Sequence, residues 1–247
     1  MKPLDLSVWI PSSHRTAEAR RAMALLPTAT LVVADSERDE YLRAGHSATR
    51  LIAHPDLFGL ARIRNFIVQR AGTEIVVQVD DDFQSVHAWP GRKRRIYRDP
   101  DRLMGIIEGT ARLAAEAGAR LFGWSNAGKP LYFRPHDPFD FRGPVGRVLG
   151  TVGDAVAWDE RLATMVDTDA TLQELLVNRF VLLDTRFYFH CGAIYGNRGG
   201  LQRIRTRELR ERDLALMRRK WGPCFDVTSK AKTKGMGTNA IRVVRRM

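Results

Sequence analysis

A chain of 247 residues that is 44% hydrophobic is long enough for one large α/β domain or two small ones, and too apolar to be disordered. Its 40 basic residues against 28 acidic ones leave a net charge of +12, which points to a polyanionic partner, nucleic acid or an anionic surface, unless the excess serves only solubility. Two cysteines, Cys191 and Cys224, exclude a disulfide framework. Without a signal-peptide pattern, or an apolar run near the ~20 residues of a membrane span, the chain reads as a soluble cytoplasmic protein.

In chain order, Leu6 to Ile10 reads as a strand, Ala17 to Leu26 as a helix and Thr30 to Ala34 as a second strand. A short polar helix over Ser36 to Ala44 precedes a third strand, Ala48 to Ile52. Leu60, Ile63 and Ile67, with Phe66, then share one helical face, and the apolar run Glu74 to Val79 follows at once. This β-α-β-α-β-α-β order predicts a mostly parallel sheet with helices on both sides. A helix from about Pro100 to Ala117 turns Leu103, Ile106, Ile107, Leu113 and Ala117 to the core, and Arg120 to Trp124 returns as a strand.

From about 125 to 150 the character changes: Pro130, Pro135, Pro138 and Pro144 alternate with Tyr132, Phe133, Phe139 and Phe141. This reads as a hairpin or irregular insertion over the functional edge of the sheet. Leu172, Leu175 and Leu176 mark another helix, Val181 to Phe189 another strand, and Leu214, Met217 and Trp221 a late helix beginning near Thr206. One domain over 1–228 is expected, followed by a basic tail over 229–247.

The strand 74–79 ends in Asp80-Asp81-Asp82. Carboxylates at the carboxyl end of a buried strand lie where open α/β sheets bind ligands. Asp80 and Asp82 are spaced to approach one hydrated divalent cation, which can in turn neutralise a diphosphate. A solvated turn is the alternative. Upstream, Arg64 and Asn65 lie in Ala61-Arg62-Ile63-Arg64-Asn65, and the first strand runs into Pro11-Ser12-Ser13-His14-Arg15. Downstream, Asp167 and Asp169 in Val166-Asp167-Thr168-Asp169 precede an apolar helical run, where helix capping alone would account for an aspartate.

Together these segments resemble the GT-A glycosyltransferases, a Rossmann-type fold in which a D-x-D element holds Mn²⁺ or Mg²⁺ against the diphosphate of a sugar nucleotide. The resemblance implies Asp80 and Asp82 as metal ligands, with Asp81 shaping the site or touching the donor. It places Pro11, Ser12 and Arg15 near the base or ribose, and Arg64 and Asn65 near the nucleotide or sugar. It makes Asp167 the base that deprotonates the acceptor in an inverting reaction, with Asp169 as the alternative base or as a cap. Val166 departs from the pattern, since the family carries a glutamate there. A further metal ligand would be His190, which otherwise reads as a hydrogen-bonded core residue; His14, His87 and His136 are weaker candidates.

More narrowly, Val77 to Asp82, Leu121 to Ser125, Val166 to Asp169, Gly192 to Gly200 and Lys220-Trp221-Gly222 resemble the TET/JBP-associated glycosyltransferases. That group includes phage enzymes acting on hydroxymethylated pyrimidines in DNA. The resemblance implies transfer of glucose from UDP-glucose to a base such as 5-hydroxymethylcytosine. Arg92, Lys93, Arg94 and Arg95 would then contact DNA phosphates, as would Arg203, Arg205, Arg207, Arg210 and Arg212. Trp89, Trp124 or Tyr132 would stack on an extruded base, with core packing the alternative for each. Lys230 or Lys232 of the tail would lie over the donor phosphates. The rival readings are a protein or glycan acceptor, a metal-dependent nucleotidyltransferase or nuclease, and a non-catalytic nucleic-acid binder.

Overall fold

A computed structural model describes residues 3–90, 93–125, 137–155, 157–192, 206–228 and 238–241, the segments 226–228 and 238–241 by backbone alone. The first half builds the parallel block. β1 (Leu6–Pro11), α1 (Thr16–Leu25), β2 (Thr30–Ala34), α2 (Arg38–Arg43), β3 (Leu51–His54), α3 (Leu60–Ala71) and β4 (Ile75–Gln78) follow in order. β2 and β4 flank β1 in parallel, and β3 lies outside β2. The third strand begins three residues later than its apolar pattern predicts, because Ala48–Arg50 form a 3₁₀ turn.

β1 and β4 are buried on both faces, which is why they read as continuous apolar runs. Val8, Ile10, Ile75, Val77 and Val79 pack with Ala19, Ala22 and Met23 of α1 and with Ile106 and Ile107 of the long helix α4 (Pro100–Ala117). Trp9, Val32 and Val76 pack on the other face with Ile67 of α3. Gly72, at φ 63°, ends α3 in the left-handed conformation that glycine adopts without strain, and the chain enters β4 three residues later.

The second half extends the sheet. β5 (Phe83–Ala88) and β6 (Arg95–Tyr97) precede α4. Then come β7 (Leu121–Ser125), β8 (Phe139–Asp140), β9 (Leu149–Val152), α5 (Val166–Val177), β10 (Leu182–Cys191) and α6 (Arg207–Trp221), with a separate hairpin of β11 (Phe225–Thr228) and β12 (Thr238–Ile241). The strand order is β3-β2-β1-β4-β9-β7-β10-β5-β6, with β8 on β10. β7 and β10 run in the direction of the first block, while β9, β5 and β8 run against it. The expected α/β architecture, a mostly parallel central sheet flanked by helices, is present. The proline- and aromatic-rich stretch also supplies β9, an interior strand between β4 and β7. Leu113, expected in the core, is exposed on α4, as is Leu176 at the end of α5. Among the described residues no helix is long and apolar enough to cross a membrane.

Gly150 of β9 is where the sheet tolerates no side chain: a Cβ there would lie 2.1 Å from the Phe122 ring. Both neighbours are fixed by strand pairing, so Gly150→Ala should cost roughly 1–3 kcal/mol as overpacking. Thermal denaturation should show a melting temperature several degrees lower.

Candidate metal and nucleotide site

The three aspartates occupy the turn between β4 and β5, closed by Phe83 N–H donating to the Asp80 carbonyl at 3.1 Å. They divide into two roles. Asp81 turns toward the end of β1, where it accepts from Ser12 Oγ at 2.7 Å and from Arg15 Nη1 at 3.0 Å. The loop after Pro11 is braced from the opposite side as well. The Tyr41 hydroxyl meets Ser12 Oγ at 2.7 Å and accepts from Arg15 N at 3.1 Å, while Glu37 accepts from Ser13 Oγ and His14 N. These bonds hold His14 at φ 53°, a left-handed conformation that only an over-determined loop sustains in a non-glycine residue. Burial pushes the Tyr41 hydroxyl up to about 12, so it remains a neutral hydrogen-bonding group.

Asp80 and Asp82 form the second group, with Asp82 Oδ2 still 3.8 Å from Arg15 of that loop. One ligand atom from each, together with Cys191 Sγ, forms a cluster within 4.8 Å. Asp82 Oδ1 is buried and has no hydrogen-bond partner, and the side chain is 10% exposed. Burial, reinforced by Asp82 and Asp81 and opposed by Arg64 and Arg147, raises the Asp80 carboxyl to about 7. A buried carboxylate oxygen with no hydrogen-bond donor, close to a second acid, fits a divalent cation held by hard oxygen ligands.

Because the folded pKa of Asp80 lies above its unfolded value, its contribution to stability is complete below about pH 4. It is lost as pH rises through about 7. Metal-free protein should therefore gain more from Asp80→Asn at pH 8 than at pH 5, by a few degrees in melting temperature. Thermal scans in chelator at the two pH values check this, and an equal shift at both would contradict it.

Arg147 and Cys191 come to the acids through long-range pairing. The antiparallel register of β4 and β9 sets Gln78 opposite Leu149, so its continuation sets Asp80 opposite Arg147. Arg147 also donates to the Gly192 carbonyl, and Gly192 N–H donates to the Asp82 carbonyl at 3.1 Å. His190, the expected further ligand, is not in the cluster. Neighbouring strand residues face opposite ways, and the His190 ring stacks on His87 at 4.9 Å beside Tyr188, while Cys191 takes the side of the acids.

Another group of side chains stands near the acids, since the Arg64 charge acts on Asp80. Arg64 of α3 is 2% exposed, pairs with Asp167 at 2.9 Å and lies over the Trp158 ring at 4.7 Å. Its Nε and Nη1 have no hydrogen-bond partner. Asn65 does not reach the acids: its amide donates to the Trp158 carbonyl and Glu160 and accepts from Trp158 N–H, which fixes the loop carrying Trp158. Asp167 lies in the first turn of α5 and remains 30% exposed.

Asp169 does not cap α5. Met165 occupies the N-cap position, and the buried Asp169 carboxylate accepts from Trp221 Nε1 at 2.7 Å, Gln173 Nε2 at 2.7 Å and Lys220 Nζ at 2.9 Å. It is the anchor of α6 on α5. Removing the carboxylate leaves Trp221 Nε1 without its acceptor and Lys220 with Asp159 alone, so Asp169→Ala should lower stability by roughly 1–3 kcal/mol. Chemical denaturation measures this loss.

Trp124, expected as a stacking platform for a base, is a core residue. It is 2% exposed, packs on Phe189 at 4.4 Å and Phe122 at 5.7 Å, and donates to Thr110 Oγ1. Trp89 is likewise buried. Lys93, Arg94 and Arg95 are exposed on and before the edge strand β6. Arg92, Tyr132, His136, Arg203, Arg205, Lys230, Lys232 and the glycine-rich 193–200 lie outside the described residues.

No family model matches the chain, and no curated protein does. Solved structures share its fold. Glucosyl-3-phosphoglycerate synthase from Mycobacterium tuberculosis, in complex with Mn²⁺, UDP and phosphoglyceric acid, aligns with a TM-score of 0.54 at 13% identity, over 98% of this chain and 88% of that one. The mannosyltransferase PcManGT from Pyrobaculum calidifontis, in complex with GDP-Man and Mn²⁺, aligns at 0.51 and 14% identity over 81% of this chain. The chain spans only 59% of that mannosyltransferase, and 60% of the S. aureus TarS 1–349 structure, which aligns at 0.46 and 13% identity over 75% of this chain. At these identities the likeness is one of fold, and the fold is of GT-A type.

Proposed function

We propose that this chain is a metal-dependent, inverting glycosyltransferase that moves a sugar, glucose from UDP-glucose, onto the hydroxymethyl group of a modified pyrimidine in DNA. One observation carries the enzymatic reading. Asp82, whose buried Oδ1 has no hydrogen-bond partner, and Asp80 converge at the tip of β4, with the Arg64–Asp167 pair nearby.

A divalent cation bound by Asp80 and Asp82 would supply positive charge to the departing diphosphate. Arg147, whose charge acts on Asp80, adds to that field. Arg15, Ser12 and Asp81 hold the end of β1 as a rigid wall for the nucleotide. On the α3 face of the sheet, Arg64, Gln78, Thr151 and Trp158 Nε1 carry buried polar atoms with no protein partner. That hydrogen-bonding capacity suits a hydroxyl-rich sugar, or the water that precedes it. Asp167 accepts the proton of the acceptor hydroxyl, approaching from the side opposite the leaving group.

The DNA acceptor is supported by the charge of +12 and by the exposed Lys93-Arg94-Arg95 edge. This edge stands about 20 Å from Asp82, six residues of β5 at ~3.3 Å each, a spacing suited to an extended polyanion rather than a small acceptor.

The test is intact-mass analysis of a 5-hydroxymethylcytosine oligonucleotide incubated with UDP-sugars, with Mn²⁺ or with chelator. A hexose increment confined to the modified oligonucleotide and lost in chelator is expected. Hydrolysis of UDP-glucose without any oligonucleotide product would reject the DNA acceptor, and shortening of DNA without a sugar donor would reject the enzyme class.

A further inference from the structure

We infer that Cys191 is the third protein ligand of the cation, making the site one of two carboxylates and a thiolate that favours Mn²⁺ and softer divalent cations over Mg²⁺. The inference rests on the metal-dependent reading above and specifies which metal the site selects.

Three observations meet at this point. Cys191 Sγ lies within the 4.8 Å cluster with the Asp80 and Asp82 oxygens, so one ion can reach all three. Asp82 Oδ1, nine-tenths buried with its side chain, has no hydrogen-bond partner in the protein. The backbone locks the three together, since Gly192 N–H donates to the Asp82 carbonyl and Arg147 donates to the Gly192 carbonyl. The β10 register shifts between His190 and Cys191, which places the sulfur over the acids at the strand end. Cys191 is 3% exposed and Cys224 lies in the turn after α6, so the cluster is not assembled from a surface thiol.

Sulfur is a poor ligand for Mg²⁺, which prefers six oxygens, and a good one for later divalent ions. On coordination the thiol loses its proton to solvent and binds as thiolate, with no change of oxidation state. The remaining positions are left for water and the donor's phosphate oxygens.

Cobalt(II) is the probe. The full chain with Co²⁺ and UDP should show one bound ion and a near-ultraviolet sulfur-to-cobalt charge-transfer band. The band should persist in Cys224→Ser and vanish in Cys191→Ala, while the variant still binds Co²⁺, weakened on the order of tenfold. Competition titrations should show the Cd²⁺-over-Mg²⁺ preference falling by a similar factor in Cys191→Ala, and Cys191→His should restore Co²⁺ affinity without the band. Circular dichroism confirms that each variant is folded. Should wild-type protein bind Co²⁺ in an Asp82-dependent manner without the band, and with the selectivity of Cys191→Ala, the thiolate is refuted and the metal site stands. Should Co²⁺ not bind, or bind equally well in Asp82→Ala, both readings fall together.

Discussion

Asp82→Ala should abolish metal binding and cut sugar transfer about 10³-fold while leaving the fold intact or slightly more stable. The asymmetry comes from what each acid touches. Asp82 makes no hydrogen bond through Oδ1, and its nearest cation, Arg15, is 3.8 Å from Oδ2. A carboxylate so placed costs free energy in the metal-free protein and returns it only when a cation arrives. Asp81, one residue earlier, holds Ser12 and Arg15, so Asp81→Ala should destabilise the 11–15 loop and lower the melting temperature. For Asp82→Ala, loss of the metal's charge stabilisation predicts a fall in kcat of about 10³-fold, several kcal/mol of barrier. Calorimetric titration with Mn²⁺ and UDP, beside a thermal scan, separates the two acids. Equal thermal losses in both variants would remove the argument that Asp82 is kept for a ligand.

The acids and the strand beneath them were legible because each signal is local. The run Ile75-Val76-Val77-Gln78-Val79 leads straight into three carboxylates, and the Leu60, Ile63 and Ile67 spacing announces α3. What escaped the reading is what the fold brings from afar. Arg147 reaches Asp80 only through the register of β9 on β4, and β9 itself, Leu-Gly-Thr-Val, is too short and too glycine-bearing to declare a strand. Cys191 and His190 are adjacent in sequence, so only strand parity at the β10 irregularity decides which faces the acids. Asp169 imitates a cap because caps are local patterns, yet its partners Lys220 and Trp221 lie some fifty residues downstream. Trp124 carries an indole suited to stacking, but Phe122, Phe189 and Thr110 enclose it. Composition does not report such enclosure.

Asp167→Asn should reduce kcat by about 10²–10⁴-fold, the range for removing a general base, while the Kd for UDP-glucose stays unchanged. The geometry gives this residue a position without making it part of the fold's framework. It remains partly exposed, at the start of α5, and is held by Arg64 at 2.9 Å. Arg64 is in turn fixed by stacking on Trp158, and Trp158 by the two-way hydrogen bonds of Asn65. Damage should therefore travel along this chain in graded form. Asn65→Ala loosens the Trp158 loop and should lower kcat by about tenfold, acting through Arg64 rather than on the acceptor. Arg64→Lys keeps the charge but loses the planar stack, and should fall between the two. A structural role alone would lower stability and leave kcat at saturating donor unchanged. A base displaced from its guanidinium partner should lower kcat while the Kd for UDP-glucose stays the same. The kcat and melting temperature of wild type, Arg64→Lys and Asn65→Ala, measured at saturating donor, thus decide whether Arg64 positions a catalytic carboxylate or only fills the space between α3 and α5.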